Sequence, residues 1–345
     1  MSPAADQFDR ACGALLGVAL GDALGMPSQT LTHDDVRARY GQITGFVAPF
    51  EDHPVSHGLV AGQVTDDTEQ TMLLGRRLIT GKGEIDPGLW ASDLLNWERD
   101  VRARGLRDLL GPSSKAALDG LMSGMSPADT GRAGTTNGAA MRIAPVAIAT
   151  PPAPVSAQVD RVEAACRLTH NTGEAIAAAA AVAAVISAGL NGAGFEATRP
   201  LALQSAKEGQ GRGHAAGHPD MAGRIALALE IAARTRDAEA IRREIGTSVA
   251  SCQSVPAAFG VVLLAEGDPW NAGLIAANIG DDTDTIGAMA CAMAGACRGR
   301  GCFPEAAVRT LNAANTLDID AMAAALLNLR AGASEPEHKI QERAT

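Results

Sequence analysis

From Asn278 to Met289 the chain reads Asn-Ile-Gly-Asp-Asp-Thr-Asp-Thr-Ile-Gly-Ala-Met, and it stays almost wholly apolar from Ile286 to Arg298. A helix that is apolar all round belongs in the interior. Carboxylates resist burial unless a partner of opposite charge meets them. Joined end to end, these two demands predict a central helix whose N-terminus carries Asp281, Asp282 and Asp284 toward the core. Thr65-Asp66-Asp67-Thr68 has the same design far upstream, ahead of the apolar positions Met72, Leu73, Leu74, Leu78 and Ile79. We expect the fold to bring the two clusters together around divalent metal.

The remaining periodicity is helical. Apolar Ala11, Leu15, Val18 and Ala19 fall near one face of a helix over Phe8–Leu20, and Gly13, Gly17 and Gly21 recur every fourth residue, which lets another helix approach closely. Pro27 ends that helix. Residues 41–63 are rich in Gly and Pro without a period and read as a long flap. Further helices are expected over Leu89–Val101, Ser113–Leu121, Val159–Leu168, Ala175–Leu190, 223–234, 237–253, 256–265, 270–279, Ala306–Ala314 and Ile319–Leu329, with an apolar stretch over Ala139–Ile148 broken only by Arg142. The Pro-rich 150–154 stretch caps one helix and starts the next. Residues 191–222 are Gly-rich and polar and read as the weakest part of the fold. No window alternates as a strand does, and no repeat recurs at a fixed period. The expectation is an all-α chain: one compact orthogonal multi-helix bundle over 1–333, followed by a polar tail over 334–345.

Composition narrows the function. A formal net charge of -10, without a Lys/Arg-rich run, argues against a nucleic-acid groove. The longest apolar run, Ala175–Leu190, is shorter than the roughly 20 residues of a membrane span, so no membrane partner is expected. Six cysteines without a Cys-x-x-Cys pair point to a reduced, cytoplasmic setting, and the N-terminus lacks the pattern of a signal peptide. Aromatic residues make up only 3%, so Ala, Leu, Ile, Val and Met must form the core. Monomer and dimer stay equally open.

Each acidic cluster also has a plain reading, in which threonine caps a helix and aspartate complements its dipole. The density of charge around Asp282 and Asp284 goes beyond that, because Asp281, Asp282 and Asp284 repel one another unless protonated, solvated or bound to a cation. Oxygen-only ligands suit hard ions such as Mg²⁺ or Mn²⁺. Four or five carboxylates are enough for a pair of ions that orient a substrate and activate water.

Gly21-Asp22-Ala23-Leu24-Gly25, Thr65–Thr68, Asn137-Gly138-Ala139-Ala140-Met141-Arg142, Thr169-His170, Ser254-Val255-Pro256 and Gly280–Thr285 together resemble the ADP-ribosylglycohydrolase family, in family order over nearly the whole chain. The resemblance implies an all-helical fold and two Mg²⁺ or Mn²⁺ ions, with Thr65, Asp66, Asp67, Asp282, Asp284 and Thr285 as ligands. It implies cleavage of an N- or O-glycosidic bond to ribose through an oxocarbenium-like transition state. Asp66 and Asp67 are the expected catalytic carboxylates, and Asp22, Gln29, Asn137, Gly138 and His170 the expected substrate contacts. For His170 the competing reading is a helix-start histidine held by a backbone carbonyl. The implied partner is an ADP-ribosylated protein or an ADP-ribose derivative, with two alternatives: a small-molecule nucleoside or ribosyl N-glycosidase, or a catalytically impaired metal- and ADP-ribose-binding relative. Two positions depart from the family pattern. Gln29 stands where a glutamate is usual, and Asp281 stands where glycine is common.

Overall fold

A computed structural model describes residues 2–333 apart from 107–109, 216, 218 and 219. The expected tail over 334–345 lies outside the described residues. In chain order the helices are α1 (Pro3–Gly25), α2 (His33–Tyr40), α3 (Asp66–Thr80), α4 (Pro87–Ala103), α5 (Pro112–Met122), α6 (Gly138–Met141), α7 (Ala144–Ala149), α8 (Val155–Cys166) and α9 (Gly173–Gly189). They continue with α10 (Phe195–Gln210), α11 (Met221–Thr235), α12 (Ala238–Glu244), α13 (Ser251–Leu264), α14 (Pro269–Ile279), α15 (Thr283–Arg298), α16 (Glu305–Ala314) and α17 (Ile319–Ala333). The described residues form no sheet, only the isolated bridges Leu31–Asp281, Thr136–Ala250 and Thr172–His214. The all-α expectation holds.

The glycine stripe of α1 sets the centre of the bundle. A Cβ added at Gly13 would lie 2.5 Å from the Gly295 carbonyl oxygen, one at Gly17 2.3 Å from that of Cys291, and one at Gly21 2.1 Å from that of Gly287. The pairing is antiparallel and backbone to backbone. It ends at Gly25, where a Cβ would fall 2.4 Å from the Asp284 Cα. The last turn of α1 is thereby pressed against the first turn of α15. As expected, α15 is central, buried from Thr283 to Cys297, and α9 is buried along its whole length. With few aromatics available, this core gains its dispersion contacts from close approach rather than from large side chains. None of the helices among the described residues is long and apolar enough to cross a membrane. All six cysteines are unpaired.

Two expectations need correction. The 191–222 region contains α10, a full helix against α9. Its buried face is Thr198, Ala202, Ser205, Ala206 and Gly209, and a Cβ at Gly209 would meet the Ala177 Cα at 2.9 Å. Small polar residues that read as loop are here the small-residue face of a tight helix pair. The expected 237–253 helix breaks into α12 and α13 around Gly246, whose φ is 90°. The 139–148 stretch breaks at Arg142 into α6 and α7. Helix α2 buries only Val36 and therefore has no apolar period to announce it.

Two glycine substitutions separate packing from helix propensity. Gly21→Ala should destabilise the protein to urea by about 3 kcal/mol, because backbone blocks the methyl group and α1 must shift from α15. Gly332→Ala, where nothing lies within 4 Å, should instead gain up to ~1 kcal/mol. Equal stability of Gly21→Ala and wild type would refute the backbone contact.

Candidate metal centre

The closure of α1 on α15 buries Asp22 completely. Its carboxylate accepts the Thr65 N–H at 2.9 Å, the Thr65 hydroxyl at 2.7 Å, the Thr68 N–H at 3.1 Å and the Thr68 hydroxyl at 2.5 Å. Thr65 occupies the N-cap position of α3, but its side chain makes no bond to its own helix. Asp22 instead caps α3 from α1, satisfying amide groups that a helix start otherwise leaves open. Asp22, expected among the substrate contacts, is here a completely buried carboxylate that ties α1 to α3.

That tie sets Asp66 and Asp67 in the first turn of α3, facing the start of α15. Asp67 is 1% exposed. Its Oδ2 accepts the Thr285 hydroxyl at 3.3 Å, while its Oδ1 is buried with no partner. One Asp284 oxygen accepts the Thr285 N–H at 2.9 Å. Single oxygens of Asp22, Asp67 and Asp284 lie within 4.8 Å of one another. Asp66 accepts the Gln70 side-chain N–H at 3.2 Å, and Asp282 accepts the Asn137 side-chain amide, which also donates to the Ser254 hydroxyl at 2.9 Å. The fold therefore gathers Thr65, Asp66, Asp67, Asp282, Asp284 and Thr285, expected from distant parts of the chain, and adds Asp22.

Burial is the main cause that pushes all of these carboxyl groups above the ordinary carboxylate range. Asp22 is pushed up to about 6 even with its four donors. Asp66, Asp67 and Asp284 rise well above their usual value, first by desolvation and then by repulsion from neighbouring carboxylates. Asp282 rises for the same first reason, against the pull of the Asn137 amide. None of the ion pairs among the described residues involves these five aspartates. An all-oxygen set with a buried, partnerless Asp67 Oδ1 has the donor chemistry of a hard divalent cation.

The other expected site residues divide. Asn137 is 5% exposed and holds Asp282. Gly138 makes room for a ring, since a Cβ there would lie 2.9 Å from the His170 Cε1. His170 is fully buried, with Nε2 3.0 Å from the Thr136 hydroxyl and Nδ1 2.7 Å from the Thr169 hydroxyl. Its partners are thus two threonines rather than a backbone carbonyl. Gln29 donates through Nε2 to the Ser56 hydroxyl at 2.9 Å, and Ser56 donates in turn to the Met26 carbonyl at 2.8 Å. The 41–63 segment is thereby fastened to the end of α1 at the position where the family pattern has an acid. His53, 1% exposed beside this tie, accepts the Ser56 N–H at 2.8 Å, and burial lowers its pKa to about 4.

Asp281 also finds its place. It has a φ of 63° and exchanges backbone bonds of 2.7 Å with Thr30 and Leu31, while its side chain accepts the Thr247 hydroxyl at 2.7 Å. A left-handed position explains why glycine suits it and why aspartate is tolerated. Sequence reasoning missed Thr68, Gln70, Thr136 and Thr169. For Thr68 and Gln70 a signal existed in their spacing: one falls within the first turn of α3, and the other lies four residues after Asp66 on the same face.

The ADP-ribosylglycohydrolase family profile matches residues 3–336. The uncharacterized protein YegU of Escherichia coli (strain K12) is 34% identical over 326 residues, which is 93% of this chain and 97% of that protein. The ADP-ribosylarginine hydrolase Tri1 of Pseudomonas putida (strain GB-1) is 30% identical over 309 residues, 86% of this chain and 72% of that protein. Among solved structures, an "ADP-ribosylglycohydrolase-related protein complex" superposes with a TM-score of 0.69 at 27% identity, covering 94% of this chain and 99% of the other. With this fold, this carboxylate cluster and a family match across the chain, the protein belongs to the ADP-ribosylglycohydrolase family, hydrolases of ribosyl glycosidic bonds.

Proposed function

We propose that the chain is a divalent-metal-dependent glycohydrolase that cleaves the bond from ribose C1 to the nitrogen or oxygen of an ADP-ribosylated protein or ADP-ribose derivative. The observation that carries this is the buried aspartate cluster, with the unpartnered Asp67 Oδ1 and no ion pair to these aspartates among the described residues. Arg142 is the buried cation nearest in the hydrogen-bond network, one residue behind Asp66 through Gln70. Two Mg²⁺ or Mn²⁺ ions together with Arg142 would balance five ionised carboxylates. Thr65, Asp66, Asp67, Asp282, Asp284 and Thr285 would hold the ions, with Asp22 bracing them from below. When bound, such ions hold ribose hydroxyls and polarise the reacting centre.

The chain's own groups supply the rest. Asp66 is 9% exposed against 1% for Asp67, so it is the carboxylate placed to take a proton from the attacking water. The oxygen of that water becomes the new hydroxyl at ribose C1, and the leaving nitrogen or oxygen gains a proton. Asn137 fixes the rotamer of Asp282. The family membership and the Tri1 relative support ADP-ribosyl-arginine as the first substrate to try. Gln29 supports a narrower second reading, binding of metal and ADP-ribose without turnover, because its amide is committed to Ser56 and exchanges no proton. A panel of ADP-ribosyl-arginine, nucleosides and free ADP-ribose decides. Turnover of the first supports the leading reading, turnover of nucleosides alone supports a small-molecule N-glycosidase, and binding without turnover supports the narrower reading.

Metal and acid have opposite signatures here. Calorimetry should show Mg²⁺ binding that Asp67→Asn or Asp284→Asn weakens by about 100-fold or more. In chelator the same variants should melt a few degrees higher than wild type, by ~1–2 kcal/mol, because each removes one repelling charge. The raised folded-state pKa values mean that these carboxyl groups bind more protons folded than unfolded. Their contribution to stability should therefore fall as pH rises from the ordinary carboxylate range through about 6 and beyond, against the opposite contribution of the buried His53 and His170, whose pKa values are lowered. Saturating Mg²⁺ should flatten that slope. A metal-free wild type whose stability falls no more over this rise in pH than that of the Asp67→Asn and Asp284→Asn variants would contradict the assignment.

A further inference from the structure

Arg142 interrupts the apolar stretch between α6 and α7, and the chemistry above uses it only as charge. Its side chain is 1% exposed. Nη1 donates to the Gln70 Oε1 at 2.5 Å, Nη2 donates to the Thr169 hydroxyl at 2.6 Å, and the guanidinium carbon lies 5.5 Å from the Trp90 ring centre. Burial lowers its pKa to about 10, so it stays charged at neutral pH.

An arginine only donates, and that fixes the direction of every bond downstream. On one arm the Gln70 oxygen must face Arg142, so its NH₂ faces Asp66. On the other, Thr169 accepts from Arg142 and is itself fully buried. Among the described residues its hydrogen has one acceptor in reach, the His170 Nδ1 at 2.7 Å. His170 must then carry its proton on Nε2 and donate to the Thr136 oxygen at 3.0 Å. Reversing the chain would leave the Thr169 hydrogen buried without an acceptor. The last hydrogen, that of the Thr136 hydroxyl, has no acceptor among the described residues, and it sits at a partly exposed residue beside Asn137.

We propose that Arg142 is a positioning residue that acts through Thr169 and His170 to turn the Thr136 hydroxyl hydrogen outward, where it donates to an oxygen of the bound ribosyl substrate. Arg142 would then serve both sides of the site, holding Asp66 through Gln70 and orienting a substrate donor through His170. His170 acts within the wall of the site, as a relay and not as a proton carrier. Desolvation and the nearby Arg142 charge both hold its pKa well below the usual value, in keeping with a neutral ring. The proposal rests on the glycohydrolase reading for the identity of the ligand, but its internal geometry does not.

Nitrogen-15 NMR of the metal-free protein reads the relay directly, with the His170 signals assigned by their loss in His170→Gln. The expected result is a single neutral tautomer protonated on Nε2; an Nδ1-protonated ring in wild type would overturn the proposal. In Arg142→Met the direction is no longer imposed, and a mixture of tautomers is expected. A folded variant that keeps the single Nε2 form would remove Arg142 from the relay. If that variant fails to fold, two threonine variants carry the test. With Mg²⁺ present, Thr136→Val should weaken ADP-ribose binding about tenfold while Thr136→Ser stays within about twofold, and Mg²⁺ affinity should be unchanged in both. Wild-type affinity in Thr136→Val would overturn the substrate contact. Absence of Mg²⁺ binding by wild type would instead strike the proposed function, and the tautomer result would stand on its own.

Discussion

The close contact of α1 with α15 is the constraint on which the rest of the molecule depends. Four glycines spaced by four residues let the two helices run antiparallel with their backbones touching, so residues near the end of one meet residues at the start of the other. Asp22 and Gly25 lie at that end, and Thr283, Asp284 and Thr285 lie at that start. A side chain at Gly25 would collide with the backbone of Asp284, so the spacing of the helices and the position of the acid are one feature. Asp22 passes the constraint on to α3 by capping it, which sets Asp66 and Asp67 opposite Asp284.

The site built this way opposes the stability of its own scaffold. Its carboxylates are raised by desolvation and by one another, and no side-chain cation among the described residues pairs with them. Buried charge without a partner is among the most destabilising arrangements a fold can hold. The surroundings offset part of it with directed donors: two threonines on Asp22, Thr285 on Asp67, Asn137 on Asp282 and Gln70 on Asp66. These donors hold each carboxylate in place without neutralising it. What remains uncompensated is their negative charge, which the proposed cations would balance.

How much of this was legible in the sequence follows from the range of each interaction. The glycine stripe, the apolar run after Asp284 and the two acidic clusters are local patterns with a direct physical meaning, and they placed α1, α15 and the aspartates. Asp22, Gln29 and His170 could be named from their motifs, but their partners could not. Asp22 reaches Thr65 across 43 residues, and His170 reaches Thr136 across 34. Such bonds leave no period in the chain. The misreading of α10 has a related cause, since Thr198, Ser205 and Gly209 form a tightly packed face only because α9 opposite them is built of alanine. Asp281 read as surplus charge until its φ of 63° and its bond to Thr247 identified a left-handed turn residue.

The central claim is that the aspartates of α3 and α15 exist to hold divalent metal. The most direct measurement is a crystal structure grown with Mn²⁺, with data collected to reveal the anomalous signal of manganese. The account predicts two anomalous peaks between the first turns of α3 and α15, within bonding distance of oxygens from Asp66, Asp67, Asp282 and Asp284. A well-ordered crystal with all of these aspartates in density and no anomalous peak between them would contradict it.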